Sequence, residues 1–277
     1  MDLFASPSKN SSSPLTEFSH WASSASREIW YRRMVRLQKH TRTQGFFDAH
    51  PRFFSTSDTE SAPDRLNQRH CALVQSNAAI IEGRRVLDIA SHDGRWSFAA
   101  NQAGAKYVLG IEARQHLVEA ARGNIRAANL PAGAVEFIRG DLFTELDRLE
   151  PETFDTVFCF GFLYHTIDHM SVLRKIARLR PSYIVIDTWI SSRPGCIIEV
   201  LEEGIDHESQ AAVADPGTPM FALKGYLSKG ALEMMVKAAG FPNLHYYDWR
   251  KAGIERWDDL KAYYLGKRVT LTASANR

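Results

Sequence analysis

Three acidic residues in the middle of this chain stand in or just past short apolar runs: Asp88 in Val86-Leu87-Asp88-Ile89, Glu112 closing Gly110-Ile111-Glu112, and Asp141 after Gly140. Read as strand ends of a parallel sheet, these positions fall where such sheets bind ligands, outside the carboxyl ends of the strands. Glu112, 24 positions beyond Asp88, stands where a carboxylate accepts hydrogen bonds from both hydroxyls of a ribose, and Asp141 is placed to receive an adenine amino group. Any one of them is an ordinary surface carboxylate; three in order at successive strand ends are hard to explain as solubility charges. Gly94 allows close backbone approach of a ligand at a helix N-terminus. Further along come Tyr164-His165 and then Asp187. Histidine titrates near neutrality, so His165 is a candidate general base beside Tyr164, with Asp187 as a second base. The plainer alternatives are a histidine at a helix start and an aspartate capping a turn.

Those positions are strand ends only if the elements around them fold accordingly. Short β-branched runs alternate with amphipathic stretches, the pattern of a parallel sheet covered by helices on both faces. Strands are expected at Arg85 to Ile89, Tyr107 to Glu112, Val135 to Ile138, Thr156 to Phe160 and Tyr183 to Asp187, with two more at Leu244 to Tyr247 and Val269 to Thr272. Helices are expected from about Arg95 to Ala103, Gln115 to Ala128, Met170 to Leu179 and Lys229 to Ala239, the last stopped by Gly240. The fold class is therefore α/β, a Rossmann-like, doubly wound, mostly parallel seven-stranded sheet with an N-terminal helical extension.

Residues 1–19, rich in Ser and Pro, read as a flexible tail, and residues 20–69 as a helical lid segment. Within that segment, Ser26 to Thr43 has the spacing of a basic amphipathic helix carrying Arg32 and Arg33. An aromatic loop with Phe47, Phe53 and Phe54 follows, then a helix from Arg65 to Ile81. Residues 70–277 form the main domain, interrupted at about 189–224 by an irregular stretch where a substrate cap is expected.

Two cofactor classes compete for the loop after the first strand, Ala90-Ser91-His92-Asp93-Gly94-Arg95. A nicotinamide dinucleotide needs several glycines so that main-chain amides can close on its pyrophosphate, and here Gly94 stands alone beside the Asp93 carboxylate. S-adenosylmethionine carries no phosphate and tolerates a loop with fewer glycines and an acid near its ammonium. The expected cofactor contacts are Asp88, Ala90, His92, Gly94, Arg95, Glu112, Ala113, Asp141, Leu142 and Phe160, with Arg95 forking onto the cofactor's carboxylate.

The ordered series Val86-Leu87-Asp88 to Gly94, Gly110-Ile111-Glu112, Gly140-Asp141 and Phe154-Asp155-Thr156-Val157-Phe158 resembles the motifs of class I methyltransferases. Gly161-Phe162-Leu163-Tyr164-His165 and Gly225-Tyr226-Leu227-Ser228 are similar to the tRNA wobble-uridine carboxymethyltransferases and their small-molecule relatives. The sequence departs from the superfamily in its first loop, where Ala90 and His92 replace the first two glycines of Gly-x-Gly-x-Gly. The resemblance implies S-adenosylmethionine as cofactor, with the end of the fourth strand facing its methyl. Methyl transfer is an in-line displacement, so the protein aligns the reactants and, for a hydroxyl acceptor, removes a proton. Trp189, Arg193, Trp30 and Tyr31 are the expected substrate contacts, from the cap and from the N-terminal helix.

Composition limits the rest. A formal net charge of +2 gives no electrostatic argument for a nucleic-acid partner, and no apolar stretch reaches bilayer length, so a cytoplasmic protein is expected. Cys71, Cys159 and Cys196 fit neither a disulfide framework nor a paired-cysteine zinc site. His165-Thr166-Ile167-Asp168-His169 has metalloprotease-like spacing, but Asp replaces the usual Glu, and no metal is expected. The favoured reading is O-methylation of a small-molecule acceptor; the alternatives are a tRNA-modifying methyl or carboxymethyltransferase and a non-catalytic adenosine-ligand-binding module.

Overall fold

Runs such as Val86-Leu87-Asp88-Ile89 and Thr156-Val157-Phe158-Cys159-Phe160 carry apolar residues toward both faces, as strands buried between two helical layers require. In the computed structural model, which describes residues 44–56, 62–207, 209–214, 217 and 220–276, they form β1 (Arg85–Ile89), β2 (Tyr107–Glu112), β3 (Val135–Arg139), β4 (Thr156–Phe160) and β5 (Tyr183–Trp189). β8 (Asn243–Tyr246) and β9 (Arg268–Ser274) complete a seven-stranded sheet of order β3-β2-β1-β4-β5-β9-β8. β1 to β5 pair in parallel, and β9 runs antiparallel to both of its neighbours. The order reverses between β1 and β4, which opens a crevice at their carboxyl ends.

Alternation along the strands sorts the core into two faces. Leu87, Ile89, Val157 and Ile184 meet Leu173 and Ile176 of the helix His169–Arg178 and Leu232 and Val236 of the helix Lys229–Ala238. Val86, Val108, Phe158 and Val185 meet Phe98 of α2 (Arg95–Gln102) and Val118 of α3 (Gln115–Ala127). Phe47, Phe53 and Leu66 join this second face, so the described part of the N-terminal segment shares the main core.

Several elements differ from expectation. The aromatic loop is two single-turn 3-10 helices, Phe46–Ala49 and Pro51–Phe54, because Phe47 and Phe53 are drawn edge-on into one aromatic cluster with Trp96 and Phe98. The expected helix from Arg65 to Ile81 is α1 (Pro63–Leu73) followed by a 3-10 stretch, Gln75–Ile80. A helix missed in the sequence, α4 (Leu142–Arg148), begins directly at Asp141. The next two helices, α5 (His169–Arg178) and α6 (Lys229–Ala238), match the expected ones to within a residue or so, and a short α7 (Lys261–Tyr264) precedes β9. The irregular cap region holds an antiparallel hairpin, β6 (Ile198–Gly204) and β7 (Phe221–Leu227), whose glutamates weaken the strand signal. The basic helix at 26–43 and the tail lie outside the described residues.

Gly94 starts α2 from a left-handed conformation, φ 77°. A Cβ there would stand 2.7 Å from Phe137 Cζ and 3.0 Å from Ala121 Cβ. Backbone strain and overpacking add, so Gly94→Ala is expected to lower unfolding free energy by about 2 kcal/mol or more in denaturant titrations with an unchanged m-value.

Candidate active site

The loop after β1 reaches the crevice through an unusual backbone. Ala90 at φ 52°, His92 at φ 56° and Gly94 at φ 77° are all left-handed, so the path favoured by glycines is kept although two glycines are replaced. Glu112, the last residue of β2, holds this loop: its Oε2 accepts from the His92 backbone N–H at 3.0 Å and its Oε1 from the Arg114 N–H at 3.0 Å. Past β3, Asp141 Oδ1 accepts from the Thr144 N–H at 3.0 Å, capping α4. Two fixed carboxylates therefore border one cleft of about 1240 Å³, which Ala90, His92, Ala113, Leu142 and Phe160 also line. That volume exceeds what a single drug-sized ligand fills, leaving room for a cofactor and an acceptor together.

Three expected cofactor contacts take other roles. Asp88 lies inside β1 rather than at its end and is buried behind the cleft, accepting from Ser97 Oγ at 2.6 Å. Gly94 packs against Phe137 and lies off the cleft wall. Arg95 lines the cleft, but its guanidinium forks onto Asp93, Nε to Oδ1 at 2.7 Å and Nη2 to Oδ2 at 2.8 Å, which supplies the carboxylate partner it was expected to find on a ligand.

The opposite side of the cleft carries the candidate chemistry. Gly161, at φ 80°, turns the chain out of β4 into a single 3-10 turn, Leu163–His165. His165 Nδ1 lies 2.5 Å from Glu203 Oε2 of β6, and Glu203 also accepts from the Ala211 N–H at 3.0 Å and from Lys224 Nζ at 3.2 Å. Burial pushes the Glu203 carboxyl up, but the His165 hydrogen bond and charge, joined by Lys224, outweigh it and hold the carboxyl below its ordinary range. The Tyr164 ring lies 4.1 Å from the His165 ring, and burial pushes its hydroxyl pKa up. Tyr164, His165 and Trp189 line the same cleft as Glu112 and Asp141.

Asp187 does not serve as a second base. It is wholly buried and accepts from Arg268 Nε at 2.7 Å, Tyr263 Oη at 2.8 Å, Arg69 Nη2 at 2.9 Å and Thr270 Oγ1 at 2.9 Å. Burial alone would raise its pKa; the Arg268 and Arg69 charges prevail and hold it at about 2. Arg193 is solvent-exposed, 3.6 Å from Glu199, and away from the cleft, while Trp30 and Tyr31 lie outside the described residues. His165 and His169 do not converge: His169 Nε2 pairs with the Gly225 carbonyl at 2.9 Å. Among the described residues no cluster of three His, Cys, Asp or Glu side chains is arranged to hold a metal, and no helix is long and apolar enough to cross a membrane.

Sequence reading missed Glu203, Lys224 and Arg114. Arg114 Nη2 donates to the His207 carbonyl at 2.8 Å and to that of Ala211 at 2.9 Å, tying the loop of the β6–β7 hairpin to the end of β2. A Glu-Val-Leu-Glu-Glu run in an otherwise irregular stretch was the available signal for Glu203, but its partner lies 38 positions away.

A sheet that reverses order at β1 and β4, with carboxylates offered from the end of β2 and from the turn after β3, has the plan of a nucleotide-binding α/β fold. Residues 86–181 match a family described as "Methyltransferase domain". Over that stretch the chain is similar to methyltransferase domains. It is 28% identical over 124 residues to Ubiquinone biosynthesis O-methyltransferase of Neisseria meningitidis serogroup C (strain 053442), a stretch covering 44% of this chain and 51% of that protein. It is 33% identical over 94 residues to Ribosomal RNA large subunit methyltransferase I of Yersinia pseudotuberculosis serotype O:1b (strain IP 31758), covering 33% of this chain and 23% of that protein. The chain thus spans about half the length of the first relative, 51%, and less of the second. Among solved structures, the N-terminal domain of EvdMO1 with SAH bound has the same fold, with a TM-score of 0.56, 17% identity, and coverage of 94% of this chain and 100% of that one.

Two measurements probe β1 and the loop that follows it. Left-handed Ala90 is strained, whereas glycine is not, so Ala90→Gly is expected to stabilise the protein by about 0.5–1 kcal/mol, visible as a Tm rise of about 2 °C. The second concerns Asp88. Burial, with smaller contributions from the Glu112 and Asp93 charges, pushes its carboxyl up to about 7 against its Ser97 hydrogen bonds. The folded state therefore keeps this proton while the unfolded chain releases it at about pH 4, and stability falls as pH rises across that window. Asp88→Asn mimics the protonated acid, so urea unfolding at about pH 4.5 and 7.5 should find the variant gaining on the parent at the higher value.

Proposed function

We propose that the protein transfers a methyl group from S-adenosylmethionine to a hydroxyl of a small-molecule acceptor, with His165 as general base. The observation that carries this reading is the His165–Glu203 pair, 2.5 Å apart, on the wall of the cleft that Glu112 and Asp141 border. Glu112 and Asp141 fit the ribose hydroxyls and the adenine amino group, and the left-handed loop at Ala90 and His92 fits close approach of the ligand backbone. When bound, the cofactor supplies an electrophilic methyl on a sulfonium.

The chain's own residues do the rest. Glu203 holds the Nδ1 side of the imidazole, so Nε2 is the atom that takes the acceptor's proton as its oxygen attacks. Tyr164 and Trp189 wall the acceptor beside His165, and Arg114 keeps the hairpin bearing Glu203 seated over the cofactor end. The name of the Neisseria relative, an O-methyltransferase, supports oxygen as the acceptor atom. A tRNA acceptor is the alternative, drawn from the tRNA-branch likeness and from a basic stretch that lies outside the described residues. The ribosomal RNA relative keeps an RNA acceptor in view.

A positioned base contributes about 10²–10⁴ to rate, so His165→Ala should lower kcat by that factor while leaving S-adenosylmethionine affinity within about twofold. Glu203→Gln should lower kcat by a smaller factor and shift the acidic limb of the pH–rate profile. Glu112→Ala should do the reverse, weakening cofactor binding by about 10-fold or more in titration calorimetry. A wild-type protein that binds neither cofactor nor product ends the reading; methylation of bulk tRNA with steeply salt-dependent binding would replace the small-molecule acceptor by RNA.

A further inference from the structure

Next to the His165–Glu203 pair the cleft wall is cationic, and methyl transfer to a hydroxyl does not ask for that. Arg65 and Arg69 of α1 and Arg268 of β9 all line the cleft. Arg69 and Arg268 share one carboxylate, Asp187, and both bond to the same oxygen, Oδ1. The buried guanidinium of Arg268 and the largely buried one of Arg69 on one carboxylate leave positive charge poorly compensated. Arg69 Nε is itself buried without a hydrogen-bond partner among the described residues.

Aromatic rings flank these groups. Arg69 lies 5.0 Å from the Trp96 ring, and Arg268 lies 6.0 Å from each of the Tyr164 and Trp189 rings. Arg268 Nη2 also lies close to Gly161, where a Cβ would stand 3.4 Å from it, beside the turn that carries Tyr164 and His165. Arg65 is close enough to matter, for burial and then the Arg69 and Arg268 charges hold its guanidinium below its ordinary pKa. Guanidinium forks in an aromatic-lined recess are suited to planar or tetrahedral oxyanions.

We propose that Arg69 and Arg268, with Arg65, bind an oxyanionic group of the acceptor, a carboxylate or a phosphate ester, and that the acceptor is thereby a hydroxylated acid whose hydroxyl is held at His165. This rests on the methyltransferase reading above and names the acceptor class within it. The anion fills the charge that Asp187 leaves uncovered, and Tyr164, lying between Arg268 and His165, sets the spacing between anion and hydroxyl.

The test is calorimetric, on the full chain saturated with S-adenosylhomocysteine, with benzoate, phenyl phosphate and the neutral benzamide as probes. At least one anion is expected to bind tenfold or more tightly than benzamide, with the stronger of the two identifying the oxyanion. Arg69→Met should erase that preference and Arg69→Lys should retain part of it, both with unchanged S-adenosylhomocysteine affinity. The wild-type comparison needs no variant to fold. Equal binding of benzamide and the anions, no anion binding up to 10 mM, or an anion preference untouched in Arg69→Met would overturn the proposal. So would a loss of S-adenosylhomocysteine affinity in Arg69→Met, because the cations would then serve the cofactor's carboxylate. His165→Ala separates the two readings: it should lower turnover of a hydroxylated acid by about 10²–10⁴ yet keep the anion preference, whereas wild-type protein that does not bind S-adenosylhomocysteine would overturn both.

Discussion

Asp187 is a buried carboxylate on which four elements meet. Arg69 reaches it from α1, Tyr263 from α7, and Arg268 and Thr270 from β9, while Asp187 itself belongs to β5. Removing a buried charge from water costs several kcal/mol, which only a full set of partners offsets, so these elements are bound to one another by the need to satisfy it. That demand fixes α1 over the sheet, brings β9 back antiparallel beside β5, and sets Arg69 and Arg268 along the cleft. The residue that looked like a base is instead the anchor of that cleft wall.

A second constraint lies across the cleft. The loop after β1 follows a left-handed path at Ala90 and His92, a conformation that costs about 1–2 kcal/mol for residues with a Cβ. Glu112 helps to hold it there through the His92 N–H, and the Asp93–Arg95 fork fixes the turn from below. Asp93 also accepts from Thr56 Oγ1 at 2.7 Å, so the N-terminal segment contributes to holding the cofactor loop. Strain of this kind persists where surrounding structure over-determines it, and such places are commonly ligand sites.

The β6–β7 hairpin connects the two sides. Arg114 ties its loop to the end of β2, while Glu203 on β6 holds His165 at the end of β4. Any shift of the hairpin would disturb the end of β2 and His165 together, which gives this small sheet a positioning role in the cleft.

The strands and most helices were legible because their signals are local. β1 and β4 are short, nearly continuous apolar runs, Gly240 stops α6, and Glu112 and Asp141 close or follow runs that end in view. The seven-stranded α/β fold followed from that pattern, and so did the two carboxylates that border the cleft. Tertiary structure decided what each polar side chain meets. Asp88 sits inside its strand and so faces a helix; Arg95 meets Asp93 before any ligand; Asp187 meets two guanidiniums from elements far away in the chain. Glu203 stood in a visible glutamate run, but its partner His165 lies 38 positions away. Periodicity is written in neighbouring residues, whereas the partner of a buried charge depends on which elements pack together, and that is settled only when the chain closes on itself.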